Sequence, residues 1–222
     1  MKTKFGTEFQ FNKEGIFIIS IPAIIIAFFI LKPQTPYELV IGSTLLFFIT
    51  PYLITHFILK ERVKFLGWQW GKKFKGFGGL LLALAVFFPI LYLLAGREEI
   101  YLAYPIISSM REKISTFLLF ELIVLLPAFI AVQNFIFGYI WGGFNKIWGA
   151  GKTLMLISFV IMPLIHIGKP GVEIVLAFFV GVAACWLRDR SKSVIYPILF
   201  GWGLSFVLDA IILYNIFSNK IG

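Results

Sequence analysis

The chain has 222 residues, of which 59% are hydrophobic and only 14% charged, with a formal net charge of +9. A mean hydropathy of +0.92 and 26 Phe are typical of a polytopic membrane protein and exclude a soluble globular domain. The Lys and Arg excess lies between the apolar stretches, so it indicates topology and gives no reason to expect nucleic acid binding.

In chain order, the apolar stretches predict seven transmembrane helices in an all-α polytopic bundle, since a helix needs about 20 residues to cross a bilayer. The first stretch follows a short polar amino terminus and lacks a small-residue cleavage site, so we expect it to be retained as a span. The fifth and sixth are short. The predicted spans are 15–31, 37–59, 77–95, 114–141, 153–167, 172–187 and 193–217.

The connections alternate between basic and nearly neutral. The segment 60–75 carries six basic residues against one acid, Glu61, whereas 97–113 is balanced. Because cytoplasmic loops hold the basic excess, we expect the amino terminus in the cytoplasm of a prokaryote, with the chain in its inner membrane. An additional helix hidden in 97–113 would make eight spans and move the carboxyl terminus to the cytoplasmic side.

The basic segment 63–75 is interleaved with aromatic residues, which predicts an interfacial stretch with Trp at headgroup depth and Lys near anionic lipid. An alternative interpretation is an entry surface for a partner or substrate. No repeat or low-complexity linker divides the chain, so we expect one domain, 1–222. The single cysteine, Cys185, is interpreted as a packing residue.

Polar residues deep in lipid are costly and are therefore candidates for function. Gln and Asn form hydrogen bonds but do not ionise, so they can join helices but cannot act as general bases. A lone His near the end of a span is most often a hydrogen-bonded structural residue, and no metal site or cofactor is predicted. The candidates are Glu121, Gln133, Asn134, His166 and Asp209.

Residues 133–139 (QNFIFGY) resemble the first motif of the CAAX protease and bacteriocin-processing family of intramembrane proteases. That motif has two Glu, two further residues, an aromatic, an Arg and a small residue. Here Gln133 and Asn134 stand in place of the two acids, and Gly138 stands in place of the Arg. The aromatic residue and the spacing are retained.

Two later stretches resemble the family's other motifs. Residues 162–166 (MPLIH) keep the catalytic His as His166 but lack the aromatic three residues before it. In 196–205 (YPILFGWGLS), Gly201 stands where a second His is expected, and Ser205 occupies the small polar position four residues on. The resemblance covers about 114–213 and implies a CAAX-protease-like helical bundle.

The family's chemistry, as the resemblance implies it, uses a Glu and two His to activate water for attack on a peptide carbonyl. An amide at the Glu position removes the proton acceptor, and His166 alone cannot run this mechanism. The sequence therefore predicts a pseudoprotease. The acids considered as replacements for the lost base are Glu121, Glu173 and Asp209. Glu121 lies 12 residues before Gln133, about 18 Å along a helix.

Three functions remain open at this point. The favoured one is a catalytically inactive accessory, scaffold or assembly subunit of a membrane complex, with membrane lipids and one or more membrane proteins as partners. The second is a divergent endopeptidase, activating water directly or through a metal, centred on His166. The third is a membrane protein that binds a lipid or small molecule in a residual cavity.

Overall fold

The computed structural model describes residues 4–31, 33–97, 99–100 and 113–221, and regular structure in these ranges is helical, without a strand. Six helices are long and apolar enough to cross a membrane, which confirms the prediction of an all-α polytopic membrane protein. A shorter apolar helix joins them. The helices are α1 Lys4–Leu31, α2 Pro36–Ile58, α3 Lys73–Ala95, α4 Ile114–Trp148, α5 Ala150–Ile165, α6 Gly171–Ser191 and α7 Ile195–Ile221.

Each predicted span corresponds to one helix, with ends that differ most in α1 and α4. The count of seven stays a prediction, because α5 is shorter than the roughly 20 residues that a helix needs to cross a bilayer. An eighth helix in 97–113 also stays a prediction, since most of that segment lies outside the described residues.

Helix α4 is the longest candidate span, at 35 residues, and continues past the predicted end at residue 141. The predicted span stopped where the continuous apolar stretch ends, whereas the helix continues through Gly142 and Gly143. These glycines permit close contacts. The Phe65 carbonyl oxygen lies 2.9 Å from the position of a Cβ on Gly142, and the Phe17 ring packs directly on Gly143.

Several helices contain wide, π-helical turns, and three of these precede a proline. The turns at 44–49, 121–125 and 157–161 come just before Pro51, Pro127 and Pro163. Proline lacks an N–H and its ring clashes with the carbonyl four residues back, so the preceding turn widens. A further wide turn at Asn134–Ile140 has no following proline and lies in the stretch that resembles the first protease motif.

The bundle is organised around α7. It packs along α3 and also contacts α4 and α6, while α6 lies against α5 and α4 against α2. The buried side chains form one continuous apolar cluster. The outward side chains of α3, such as Leu82 and Leu93, are exposed, as expected of a surface that faces lipid.

The α2–α3 segment, residues 59–72, is tied to the turn between α6 and α7 by backbone hydrogen bonds. Lys72 N donates to Ser191 O at 2.8 Å, and Val194 N donates to Gly67 O at 3.0 Å. Gln69 Nε2 also donates to the carbonyl of Lys192, at 2.9 Å. The segment is therefore packed on this end of the bundle.

Candidate functional site

A cavity of about 420 Å³ lies inside the bundle, and all seven helices contribute to its lining. It extends from the α5–α6 connection to the level of Gly201, which is six residues (201 − 195) into α7, about 9 Å along the helix. Most of the lining is aliphatic or aromatic. The polar or charged side chains that line it are Ser43, Gln133, His166, Lys169, Glu173 and Ser205.

The cavity brings together four of the six positions that the sequence matched to protease motifs. Gln133 comes from α4, His166 from the end of α5, and Gly201 and Ser205 from α7. The other two, Asn134 and Gly138, do not line it. Among the rescue acids, Glu173 lines the cavity, whereas Glu121 and Asp209 do not.

Gln133 packs directly on Gly201. Its Nε2 atom lies 2.7 Å from the point that a Cβ on Gly201 would occupy, so any larger residue there requires Gln133 to move. Gln133 is only 5% exposed, and its Oε1 atom has no hydrogen-bond donor in the described part of the chain. A buried amide oxygen without a donor is uncommon and costs stability.

Asn134, next to Gln133, has a structural role. Its Oδ1 accepts a hydrogen bond from Trp68 Nε1 at 2.7 Å, and its Nδ2 donates to the Phe47 carbonyl at 3.2 Å. The side chain thus joins α4 to α2 and to the α2–α3 segment, which is the helix-joining role expected of an amide in lipid. Gly138 lies on the same contact surface, where the Leu66 carbonyl oxygen approaches its Cβ position to 3.0 Å.

Trp68 was interpreted from the sequence as an interfacial ring, but it points into the bundle to reach Asn134. The interfacial description fits its neighbours better, since Trp70 is 55% exposed and Phe74 is almost fully exposed. Nothing in the spacing distinguishes the two tryptophans, so the sequence alone could not identify which one is inserted.

His166 ends α5, and its ring is fixed by a hydrogen bond. Nδ1 lies 2.8 Å from the Met162 carbonyl oxygen. Because a carbonyl only accepts, Nδ1 must carry the proton, which leaves Nε2 as an acceptor in the neutral ring. His166 therefore satisfies a carbonyl at the end of the helix and still presents a potential base.

Glu173 and Lys169 lie on either side of the start of α6 and both line the cavity near His166. The Glu173 carboxylate stands in the first turn of α6, where the helix dipole favours a negative charge. Both side chains take part in polar or electrostatic interactions, and both act electrostatically on Asp209 deeper in the bundle.

Glu121 of α4 and Asp209 of α7 form a second buried group beside the cavity. They are 0% and 1% exposed and face each other, and the Trp202 indole faces Glu121. No N–H or O–H of the described residues satisfies their four carboxyl oxygens. A hydrogen bond between the two would need one of them to carry a proton, because ionised carboxylates only accept. The sequence did not predict this pairing.

The described residues contain no group of three or more His, Cys, Asp or Glu that could hold a metal ion. Comparison of the chain with family models, with curated proteins and with solved structures gives no match. The chemistry of the cavity must therefore be argued from its own side chains. The side chains that line it provide the Gln133 amide, the His166 imidazole, the Glu173 carboxylate and the Lys169 ammonium, together with two serine hydroxyls, whereas position 201 provides no side chain.

Proposed function

We propose that this chain is a degenerate, catalytically silent member of the CAAX protease and bacteriocin-processing family. In this proposal it acts as an accessory, scaffold or assembly subunit of a membrane complex. The observation that carries the proposal is the packing of Gln133 on Gly201 inside the cavity. The resemblance places the catalytic acid and a catalytic His at these two positions.

An amide in place of the acid removes the general base, and a glycine in place of the His removes a side chain that would bind the attacking water. Each such loss costs orders of magnitude in rate, although losses within one catalytic unit do not add. The contact between the two replacements also matters. Gln133 uses the space that a side chain at 201 would need, so restoring only the His would clash with the amide.

The surface formed by the α2–α3 segment supports a role in binding. The α2–α3 segment is held to the bundle by main-chain hydrogen bonds and presents exposed Lys and aromatic side chains at one end. A rigid, basic and aromatic surface suits a membrane partner or anionic headgroups. We propose that this end faces the cytoplasm of a prokaryotic cell, since it carries the basic excess.

The test is purification in mild detergent from cells that express the protein at native level, followed by mass spectrometry of co-migrating chains. A stoichiometric membrane partner is the expected result. In parallel, the protein in nanodiscs is incubated with a library of peptides, and we expect no cleavage above that of the His166→Ala variant. Cleavage that disappears in His166→Ala would overturn the silent assignment.

A divergent endopeptidase is the second candidate, because His166 and Glu173 both line the cavity and Nε2 of His166 is an acceptor. In that mechanism Nε2 takes a proton from water, and Glu173 stabilises the imidazolium. The same peptide assay distinguishes the candidates. This mechanism requires that Glu173→Gln reduce cleavage as strongly as His166→Ala, while Glu61→Gln, at the far end of the bundle, leaves it unchanged.

A further inference from the structure

Three of the polar side chains that line the cavity offer hydrogen-bond acceptors. Gln133 Oε1 accepts only, Nε2 of neutral His166 accepts, and Glu173 contributes a carboxylate. Lys169 is the cationic group that lines the cavity, and it already interacts electrostatically with Asp209. A ligand that bonds to these three acceptors must supply donors.

Gln133 gives the strongest indication of where a donor belongs. Its side chain is about 95% buried and lines the cavity, yet Oε1 finds no donor among the described residues. An unsatisfied buried oxygen lowers stability, and a ligand O–H placed against it would recover that loss.

The charges near the cavity argue against an ionised ligand. The charged side chains that line the cavity, Glu173 and Lys169, have opposite signs, so an anion gains no net attraction that would offset the loss of its hydration. A cation placed beside Gln133 would lose its hydration in an apolar chamber, and an amide oxygen compensates little of that cost. An uncharged donor avoids both costs.

The walls indicate that the remainder of the ligand is apolar. Phe28, Phe47 and Phe129 line the chamber. Phe29 of α1 also lines it while 58% of its own surface is exposed, so the chamber reaches the outer surface of the bundle beside α1. The volume of about 420 Å³ falls within the usual range for small-molecule sites.

We propose that the cavity binds an uncharged amphiphile with one apolar chain and a hydroxyl head group, that is, a long-chain alcohol. The hydroxyl donates to Gln133 Oε1, and the chain passes along the aromatic wall toward lipid beside α1. This inference does not rest on the proposed function. A long-chain alcohol contains no bond that a peptidase cleaves, so its binding and the absence of proteolysis are separate observations.

The experiment compares two probes that differ only in the donor, tritiated 1-dodecanol and its methyl ether. Each is titrated against the protein in nanodiscs of neutral phospholipid, and partitioning into empty nanodiscs is subtracted. We expect saturable binding of one dodecanol per chain and binding of the ether that is about tenfold weaker, the effect of one buried hydrogen bond. Dodecanoate should bind more weakly than dodecanol.

Two variants assign the binding to this chamber. Gln133→Leu keeps the volume but removes the acceptor, so it should bind dodecanol and the ether equally. Leu176→Trp fills the lining and should abolish binding of both, whereas Leu156→Trp, half-buried on α5 and outside the lining, should leave binding intact. Thermal unfolding of each variant verifies that it is folded.

Three outcomes would overturn the proposal. The first is the absence of saturable dodecanol binding to the unaltered protein. The second is equal or tighter binding of the ether or of dodecanoate. The third is a Gln133→Leu variant that still prefers the alcohol over the ether by the same factor.

Discussion

The Gln133 amide occupies the space beside Gly201 that any larger residue at 201 would need, with Nε2 only 2.7 Å from the position of its Cβ. Two positions on different helices are thus fitted to each other. We therefore expect the effect of a substitution at 133 or 201 on stability to depend on which residue occupies the other position.

Gly201→Ala should therefore lower the free energy of unfolding by about 1 kcal/mol, the lower end of the usual cost of overpacking, because the atom in the way is the end of a flexible side chain. Adding Gln133→Ala should recover most of that loss, because it removes the atom in the way. Gly203→Ala is the matched control, since its nearest neighbour, a Leu84 methyl, lies at an ordinary 3.6 Å. SDS titrations measure the unfolding of the unaltered protein, of Gly201→Ala with and without Gln133→Ala, and of Gly203→Ala. Equal losses at 201 and 203 would contradict the fit.

The Trp68–Asn134 hydrogen bond gives a second prediction. Trp68→Phe leaves Asn134 Oδ1 without its donor inside the bundle, and we expect a loss of about 1–3 kcal/mol. Trp70→Phe, at the exposed neighbouring tryptophan, should change stability by less than about 0.5 kcal/mol. In a double-mutant cycle with Asn134→Leu, the two changes should be strongly non-additive. Additive losses would show that the bond contributes little.

Glu121 and Asp209 should behave as a unit. Replacing one acid with Leu leaves the other carboxyl buried without its companion, which we expect to destabilise the fold more than the double replacement does. The double variant Glu121→Leu with Asp209→Leu should be near neutral or stabilised, because replacing both members of a buried polar pair with apolar residues leaves no unsatisfied group. Thermal unfolding of the two single variants and the double variant tests this. A double loss equal to the sum of the singles would refute it.

Membrane orientation can be tested with introduced cysteines. The native thiol of Cys185 is fully buried, so intact protein should show little background labelling. Lys64→Cys, in the α2–α3 segment, should react with a membrane-impermeant maleimide only after permeabilisation of the inner membrane. Lys113→Cys, before α4, should react in spheroplasts without it. The reverse pattern would place the amino terminus outside.

The helices were predictable from the sequence because apolar length alone identifies a span, and each observed helix overlaps a predicted stretch. The end of α4 was not predictable in this way, because the helix continues past the apolar stretch through Gly142 and Gly143. The sequence also does not identify Phe65 and Phe17 as the residues that pack on these glycines.

The site was predictable only in part. The resemblance to the protease family implied that positions 133, 166, 201 and 205 belong together, and in the structure they line one cavity. Glu121 and Asp209 face each other because of how α4 and α7 are rotated about their axes. No local pattern in a single sequence encodes that rotation. The tether between Asn134 and Trp68 likewise depends on how the α2–α3 segment folds back on the bundle.

The hydrogen bond between Asn134 and Trp68 connects the cavity with the basic α2–α3 segment. Asn134, which holds Trp68, directly follows Gln133, which lines the cavity, so the two side chains project from one turn of α4. A partner that displaced the α2–α3 segment would break the hydrogen bond to Asn134 and loosen the turn that positions the Gln133 amide. Occupancy of the chamber and docking at the basic end of the bundle would then be thermodynamically linked, each altering the affinity of the other by the same factor.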